Sequence, residues 1–237
     1  MMVKNIVFMI WYLKSVSSGK SGISSIFALE NHLQADKIVQ EHVIGSTKTE
    51  STRKCAFSCL QNTACMAYFY HKNTTECRLM RINIPSESGS WKIEMGWQYF
   101  NVYEMTCPPH NGFSQNREVS LCYRYFSTPK TVADAQVTCH QNGGQLLQID
   151  NRRKQDHLAK YLEFFTATTI YIQGSDSAKE GTWAFDDGHV MSYFNWNPTT
   201  PFGHDSRDFL VMAKASSYGW EETDGTTPSA FLCGLIL

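Results

Sequence analysis

The pattern of apolar and polar positions divides the chain into an apolar start, a middle part with short aromatic stretches and a second half that begins with helices. In the middle part, Ser51 to Gln61 contains no Gly or Pro and predicts a helix. Met66 to Tyr70, the stretch that begins at Cys77, and Trp97 to Tyr103 are rich in aromatic or other apolar residues and predict strands.

In the second half, apolar residues recur at helical spacing. Val132, Ala135 and Cys139 predict one amphipathic helix, which the pair Gly143-Gly144 ends. Arg152 to Phe165 predicts a second helix with an apolar stripe. Two helices followed by strands and turns indicate an α+β fold. The predicted strands are Leu146 to Ile149, Thr169 to Ile172, Gly181 to Phe185 and Val190 to Phe194, with a turn at Asp186-Asp187-Gly188.

The apolar start, Ile6 to Leu13, follows Lys4 and is much shorter than the about 20 residues that span a bilayer. Small residues from Ser15 to Gly19 offer cleavage positions. This pattern predicts a signal peptide within residues 1–25 and a secreted, extracellular protein. Lys14 shortens the apolar core. A signal anchor at the membrane is the alternative.

Composition narrows the class of protein. The net charge is −1 and the basic residues are scattered, which argues against nucleic acid as a partner. All eight cysteines follow the apolar start, and an even number in a secreted chain predicts a disulfide framework. Asn73-Thr74-Thr75 is the one N-glycosylation sequon, because Pro198 excludes Asn197. Serine-nucleophile, zinc-protease and phosphate-loop motifs are absent, so we expect neither an enzyme nor a cofactor.

Four cysteines cluster in the middle part, at Cys55, Cys59, Cys65 and Cys77. A zinc site is the competing interpretation, but the paired short spacing of zinc ligands is missing. Their order, with Ala67-Tyr68 after the third cysteine and Leu79 after the fourth, resembles the apple or PAN module. The resemblance implies a small α+β domain at residues 30–104 with bridges Cys55 to Cys77 and Cys59 to Cys65. It also implies binding to a protein or carbohydrate partner.

The second half resembles the C-type lectin-like domain. The resemblance rests on Tyr171-Ile172-Gln173-Gly174, Glu180-Gly181-Thr182-Trp183 with Ala184-Phe185, Gly188, Asn195-Trp196 and Trp220. It implies a domain at residues 107–237 with two helices, antiparallel strands and long loops, and bridges Cys139 to Cys233 and Cys107 to Cys122. The family's second internal bridge would fall at Phe209 and Gly225, so both of its cysteines are replaced.

The positions that the resemblance assigns to calcium are altered. Calcium takes about six to eight oxygen ligands, and in sugar-binding relatives the ion also holds two saccharide hydroxyls. Here Thr200 and Phe202 flank the matching proline, Arg207 stands at the following acidic position, and Glu221-Glu222 retain carboxylates. We therefore expect no metal and no calcium-dependent sugar binding at this position.

Two interpretations of the loop residues remain open. Exposed aromatic side chains and nearby polar groups can form a metal-independent binding surface. Alternatively, Pro201 preserves a cis turn, Phe202 packs inward and the two glutamates are solvated. A metal cluster of His204, Asp205 and Asp208 is disfavoured, because such groupings are usually incidental. The candidate ligand-binding residues are Thr200, Phe202, His204, Asp205, Tyr218, Glu221 and Glu222.

The sequence thus supports two functional hypotheses. The first is a secreted recognition protein that binds a glycan or glycoprotein through the lectin-like domain, with a protein partner for the apple-like domain. The second is a calcium-independent protein-binding or extracellular-matrix component that keeps the lectin fold as a scaffold.

Overall fold

The structure, a computed structural model, describes residues 7–11, 25–86, 88–104, 107, 112–200 and 206–235. The chain divides into two units, Met1–Ser120 and Leu121–Leu237. The first unit continues past the predicted domain end at Glu104. It does so because Gln115 accepts a hydrogen bond from the Glu104 amide and Arg117 binds carbonyls near the helix of this unit.

The first unit is a helix packed on an antiparallel sheet. The sheet order is β1-β2-β8-β5-β6-β4, and a separate pair joins β3 to β7. The elements are β1 Val7–Trp11, β2 Ser25–Glu30, a 3₁₀ turn His32–Gln34, β3 Lys37–Ile38, β4 Val43–Lys48, α1 Thr52–Gln61, β5 Ala67–His71, β6 Glu76–Met80, β7 Lys92–Ile93, β8 Trp97–Glu104 and β9 Ser114–Asn116. Strand β1 lies inside the predicted signal segment, and the rest of that segment up to residue 24 is outside the described residues.

Helix α1 begins where Ser51 accepts a hydrogen bond from the Lys54 amide through its side chain. The helix buries Cys55 and Cys59 against the sheet. The bridges Cys55–Cys77 and Cys59–Cys65 join it to β6 and to the turn after the helix, and these are the pairs that the resemblance implies.

The second unit contains two helices and a mixed sheet. Its strands follow the order β14-β13-β12-β15-β10, with β11 paired to β15; β12 and β15 are parallel, and the other pairs are antiparallel. The elements are β10 Leu121–Lys130, α2 Val132–Gln141, β11 Gln145–Leu146, α3 Arg152–Leu162, β12 Thr169–Ser175, β13 Phe209–Ala213, a 3₁₀ turn Lys214–Ser216, β14 Gly219–Thr223 and β15 Ser229–Leu235.

Both helices of this unit lie where apolar spacing predicts them. The side chains of Thr131 and Asn151 cap their first turns. Helix α2 ends before Gly143, whose φ of +80° suits a residue without a Cβ. The bridge Cys139–Cys233 joins α2 to β15 inside the core. Cys107 and Cys122 are also disulfide-bonded. The predicted α+β class is confirmed.

Two predicted strands are wrong. Residues 181–185 and 190–194 contain only the single pairs Ser175↔Ala184 and Ala184↔Val190. Gly181 and Gly188, which have φ of +72° and +83°, lie in the turns next to these single pairs. The predicted turn at Gly188 is present, with its amide donating to the Phe185 carbonyl at 2.9 Å.

Within the described ranges, no helix is both long and apolar enough for a membrane span.

Candidate functional site

Two tryptophans place the chain before Thr200 beside the strand that carries Glu221 and Glu222. Trp196 and Trp220 form a parallel bridge, so the chain before Thr200 lies beside β14. Trp220 is fully buried, and its Nε1 donates to Gln155 Oε1 at 2.9 Å on α3. The Asn197 amide donates to the Trp220 carbonyl at 2.9 Å. Helix α3 therefore anchors the strand that carries both candidate glutamates.

Glu221 and Glu222 follow Trp220 on β14 and point to opposite faces, because strand side chains alternate. Glu221 is half-buried, and its Oε1 accepts a 2.8 Å hydrogen bond from Asn197 Nδ2. Glu222 is 7% exposed. Of the two carboxylates predicted for the site, Glu221 is therefore the one that lies beside Asn197.

Thr200 lies next to this pair, but its hydroxyl is directed at the backbone. Thr200 Oγ1 lies 2.8 Å from the Trp220 carbonyl oxygen and 3.0 Å from that of Asn197. One hydroxyl proton shared between two carbonyls holds the loop against β14. The other predicted loop residues, Phe202, His204 and Asp205, lie outside the described residues.

Tyr218 does not lie on the surface, which differs from the exposed aromatic that a binding surface requires. It is 5% exposed and follows Ser217 in a left-handed backbone pair with φ of +54° and +62°. Burial raises the pKa of Tyr218 to about 12. Its carbonyl accepts a 2.8 Å hydrogen bond from Gln155 Nε2. Tyr218 thus supports the turn before β14.

Partly exposed aromatic rings line the approach to Asn197. Phe194 and Trp196 stack with ring centroids 5.4 Å apart and planes 8° from parallel. Trp196 also meets Trp183 and Trp220 edge-on, at 5.5 Å and 6.3 Å. These contacts fix the Trp196 ring, because three aromatic neighbours restrict its rotamer.

A cluster of carboxylates that sequence analysis did not select lies elsewhere in this unit. Ligand oxygens of Asp176, Glu180 and Asp208 all lie within 4.8 Å of one another. Asp176 is 3% exposed, and its Oδ2 accepts a 2.9 Å hydrogen bond from the Gly181 amide. Its buried Oδ1 has no hydrogen-bond partner among the residues that the structure describes. Burial, and then the charges of Asp208 and Glu222, raise the pKa of the Asp176 carboxyl.

This donor set fits a hard cation such as calcium, which prefers carboxylate oxygens. The residues around Thr200 fit a cation less well. The Thr200 hydroxyl is engaged with carbonyls, and Glu221 contributes a single carboxylate among the residues that the structure describes. The four-residue spacing of Asp176 and Glu180 was the available sequence signal. Asp208, which the sequence grouped with His204 and Asp205, lies with Asp176 and Glu180, while His204 and Asp205 are outside the described residues.

Comparison with known proteins agrees with the two units. The family model of the PAN domain matches residues 32–107, and that of the lectin C-type domain matches residues 128–235. The C-type lectin BfL-2 of Bungarus fasciatus is 28% identical over 138 residues, covering 54% of this chain and 82% of that protein. The galactose-specific lectin nattectin of Thalassophryne nattereri is 26% identical over 116 residues, covering 48% and 73%.

Among solved structures, a calcium-independent type II antifreeze protein is 25% identical, with a TM-score of 0.48, over 54% of this chain and 92% of that one. The carbohydrate-recognition domain of the mouse scavenger receptor C-type lectin is 23% identical, with a TM-score of 0.47, over 54% and 94%. From the two family matches, the chain contains a PAN domain followed by a C-type lectin domain.

Proposed function

We propose that this protein is an extracellular recognition protein that binds glycans or glycoproteins through its C-type lectin domain. The domain match and relatives named as lectins support this class of ligand. The disulfide-bonded cysteines and the apolar start of the chain support secretion. The observation that carries the proposal is the hydrogen bond between Asn197 and Glu221 at the position inferred for sugar contact.

The carboxylate and amide suit direct recognition of sugar hydroxyls. A carboxylate accepts hydrogen bonds at both oxygens, and Asn197 Nδ2 uses one of its two N–H groups on Glu221. Two adjacent hydroxyls of a sugar can donate to Glu221 and accept from Asn197 without an intervening metal ion. The stacked ring of Trp196 holds Asn197 in place from the preceding position. Binding at this position is therefore proposed to be independent of calcium.

A second function is favoured by the state of Thr200 and Tyr218. The Thr200 hydroxyl is bound to carbonyls and the Tyr218 ring is buried, so neither side chain is presented freely to a ligand. In this alternative the lectin fold is a scaffold, and the protein is a calcium-independent protein-binding or matrix component. A protein partner for the PAN domain is compatible with either function.

A glycan array separates the two functions. The full chain is applied in millimolar calcium and again with chelator, beside Glu221→Gln and the control Glu163→Gln, which changes an exposed carboxylate near the end of α3. Glycan binding should persist in chelator and weaken by about tenfold or more in Glu221→Gln, because a charge-assisted hydrogen bond is lost. Binding abolished by chelator contradicts calcium independence. An empty array with a properly folded chain favours the scaffold.

A further inference from the structure

The PAN unit has a second sheet face, which lies on the side opposite α1. Tyr68, Tyr70 and Cys77 pack against α1, so their neighbours along the strands point the other way. Register places Arg78 of β6 between Ser46 of β4 and Phe69 of β5, and Glu76 beside Lys48. We call the group Ser46, Lys48, Glu76, Arg78 and Trp97 the basic face.

A guanidinium covers a tryptophan at the centre of the basic face. The Arg78 Cζ atom lies 4.6 Å from the centroid of the Trp97 ring, which is 2% exposed. Arg78 Nε donates to Glu76 Oε1 at 2.6 Å, and Ser46 Oγ donates to the same oxygen at 3.1 Å. The Arg78 side chain is 23% exposed. The indole and the carboxylate together fix the plane of this guanidinium.

The Arg78 guanidinium has N–H donors that are available to a ligand. Its two terminal nitrogens have no hydrogen-bond partner in the described ranges, and the same is true of Glu76 Oε2. The Lys48 side chain is exposed on the neighbouring strand. His71 is not available, because its Nδ1 accepts from the Thr74 amide at 3.1 Å and its Nε2 lies 3.0 Å from the Met95 carbonyl.

We propose that the basic face is a second ligand site, which binds the sulfate or carboxylate groups of an acidic glycan. The terminal nitrogens of a planar guanidinium offer two parallel N–H donors, the geometry that matches a sulfate or carboxylate, and the Arg78 side chain is 23% exposed. Lys48 adds a second positive charge. The second oxygen of Glu76 accepts a hydrogen bond from a hydroxyl, which a glycan carries beside its acidic groups. This site lies in the PAN unit and is independent of the function proposed for the lectin domain.

The test compares dextran sulfate oligosaccharide with unsulfated dextran of the same length, by calorimetry on the full chain in chelator at physiological salt. The wild type should bind the sulfated ligand and not the unsulfated one. Arg78→Gln should weaken binding by about tenfold or more, and Lys48→Gln by several-fold, because each removes a charged donor. Arg53→Gln, the same change at an exposed arginine of α1, should leave the affinity unchanged.

Lys48 is exposed, so its variant guards against a loss that reflects unfolding around Trp97. Equal affinity of wild type, Arg78→Gln and Lys48→Gln would overturn the proposal. So would an equal loss in Arg53→Gln, which would indicate unspecific attraction, or competition by polyglutamate with the same dependence on Arg78. Glu221→Gln should keep the sulfated ligand bound, so that failure of the lectin-domain site is distinguished from failure of the basic face.

Discussion

Arg117 Nη2 donates a 2.6 Å hydrogen bond to the backbone carbonyl of Cys65. The same nitrogen lies 2.9 Å from the carbonyl oxygens of Cys59 and Asn62, so one guanidinium serves the end of α1 and the turn that follows. A helix end leaves carbonyls without intrahelical partners, and Arg117 supplies donors for them. Residue 117 lies beyond the PAN family match, which ends at 107.

Replacing Arg117 with alanine should lower the free energy of unfolding of the first unit by about 2–4 kcal/mol, because several carbonyls, most of them partly buried, lose a charged donor. Arg53→Ala, at an exposed position of α1, should change it by less than about 0.5 kcal/mol. Hydrogen exchange of the α1 amides measures the change in stability of each variant. If Arg117→Ala left the exchange rates unchanged, the carbonyls would be satisfied without it.

Replacing Cys139 and Cys233 together with serine should lower the free energy of unfolding of the second unit by about 4–5 kcal/mol. The bridge closes a loop with a sequence separation of 94, and the entropy of loop closure grows with loop length. The same change at Cys59 and Cys65, with a separation of 6, should cost the first unit about 2 kcal/mol. Urea titration of each variant provides the comparison. Equal losses would contradict the dependence on loop length.

Asp176→Asn should stabilise the second unit at neutral pH in chelator, by about 1 kcal/mol, because it removes a buried charge from beside Asp208. The pKa of the Asp176 carboxyl is raised on folding, so the folded state holds the proton more firmly than the unfolded chain. Wild-type stability from this group therefore falls as pH rises through the interval between the two pKa values. Thermal unfolding should show the variant's advantage shrinking below that interval.

Calcium should offset the stability advantage of Asp176→Asn over the wild type. A bound cation offsets the repulsion among Asp176, Glu180 and Asp208, and binding to the folded state raises its stability. The wild type should gain thermal stability in millimolar calcium, and Asp176→Asn should gain less. No gain in either protein would show that the cluster does not hold this ion.

Asn73 should carry a glycan in secreted material. It is exposed in the turn between β5 and β6, and the Thr75 hydroxyl completes its sequon. Glycosidase treatment should reduce the mass of the wild type and leave Asn73→Gln unchanged. Thr63→Ala is a matched control that alters an exposed threonine outside the sequon and should retain the shift.

Local spacing was sufficient to predict the helices. The turns of α1 and α2 follow from the spacing of Cys55 and Cys59 and of Ala135 and Cys139, which places each pair on one face of its helix. The strand predicted at residues 181–185 failed because alternation alone does not show whether a partner strand continues. The structure forms the single pair Ser175↔Ala184 there, three residues after the turn at Gly181.

Long-range contacts were beyond the reach of such patterns. Asp176 and Asp208 meet because Ser175 pairs with Phe209 at the start of the β12–β13 ladder, and neither sequence neighbourhood indicates that register. The burial of Tyr218 depends on the left-handed pair that precedes β14. A tyrosine in a loop is typical of a surface residue, and sequence patterns do not show that the side chains of Gln155 and Asn195 donate to its backbone carbonyl.

Adjacent residues on β14 act on two different groups of side chains, one on each side of the strand. Glu221 contacts Asn197, whereas the charge of Glu222 acts on Asp176 from the other side of the strand. A substitution at Glu221 or Glu222 therefore alters either the contact with Asn197 or the charge near Asp176, and leaves the other unchanged. Inserting or deleting a single residue between Ser217 and Trp220 would instead exchange their sides. In descendants of this chain, point substitutions can change the Asn197 contact and the Asp176 cluster separately. A change of length in this turn alters both at once.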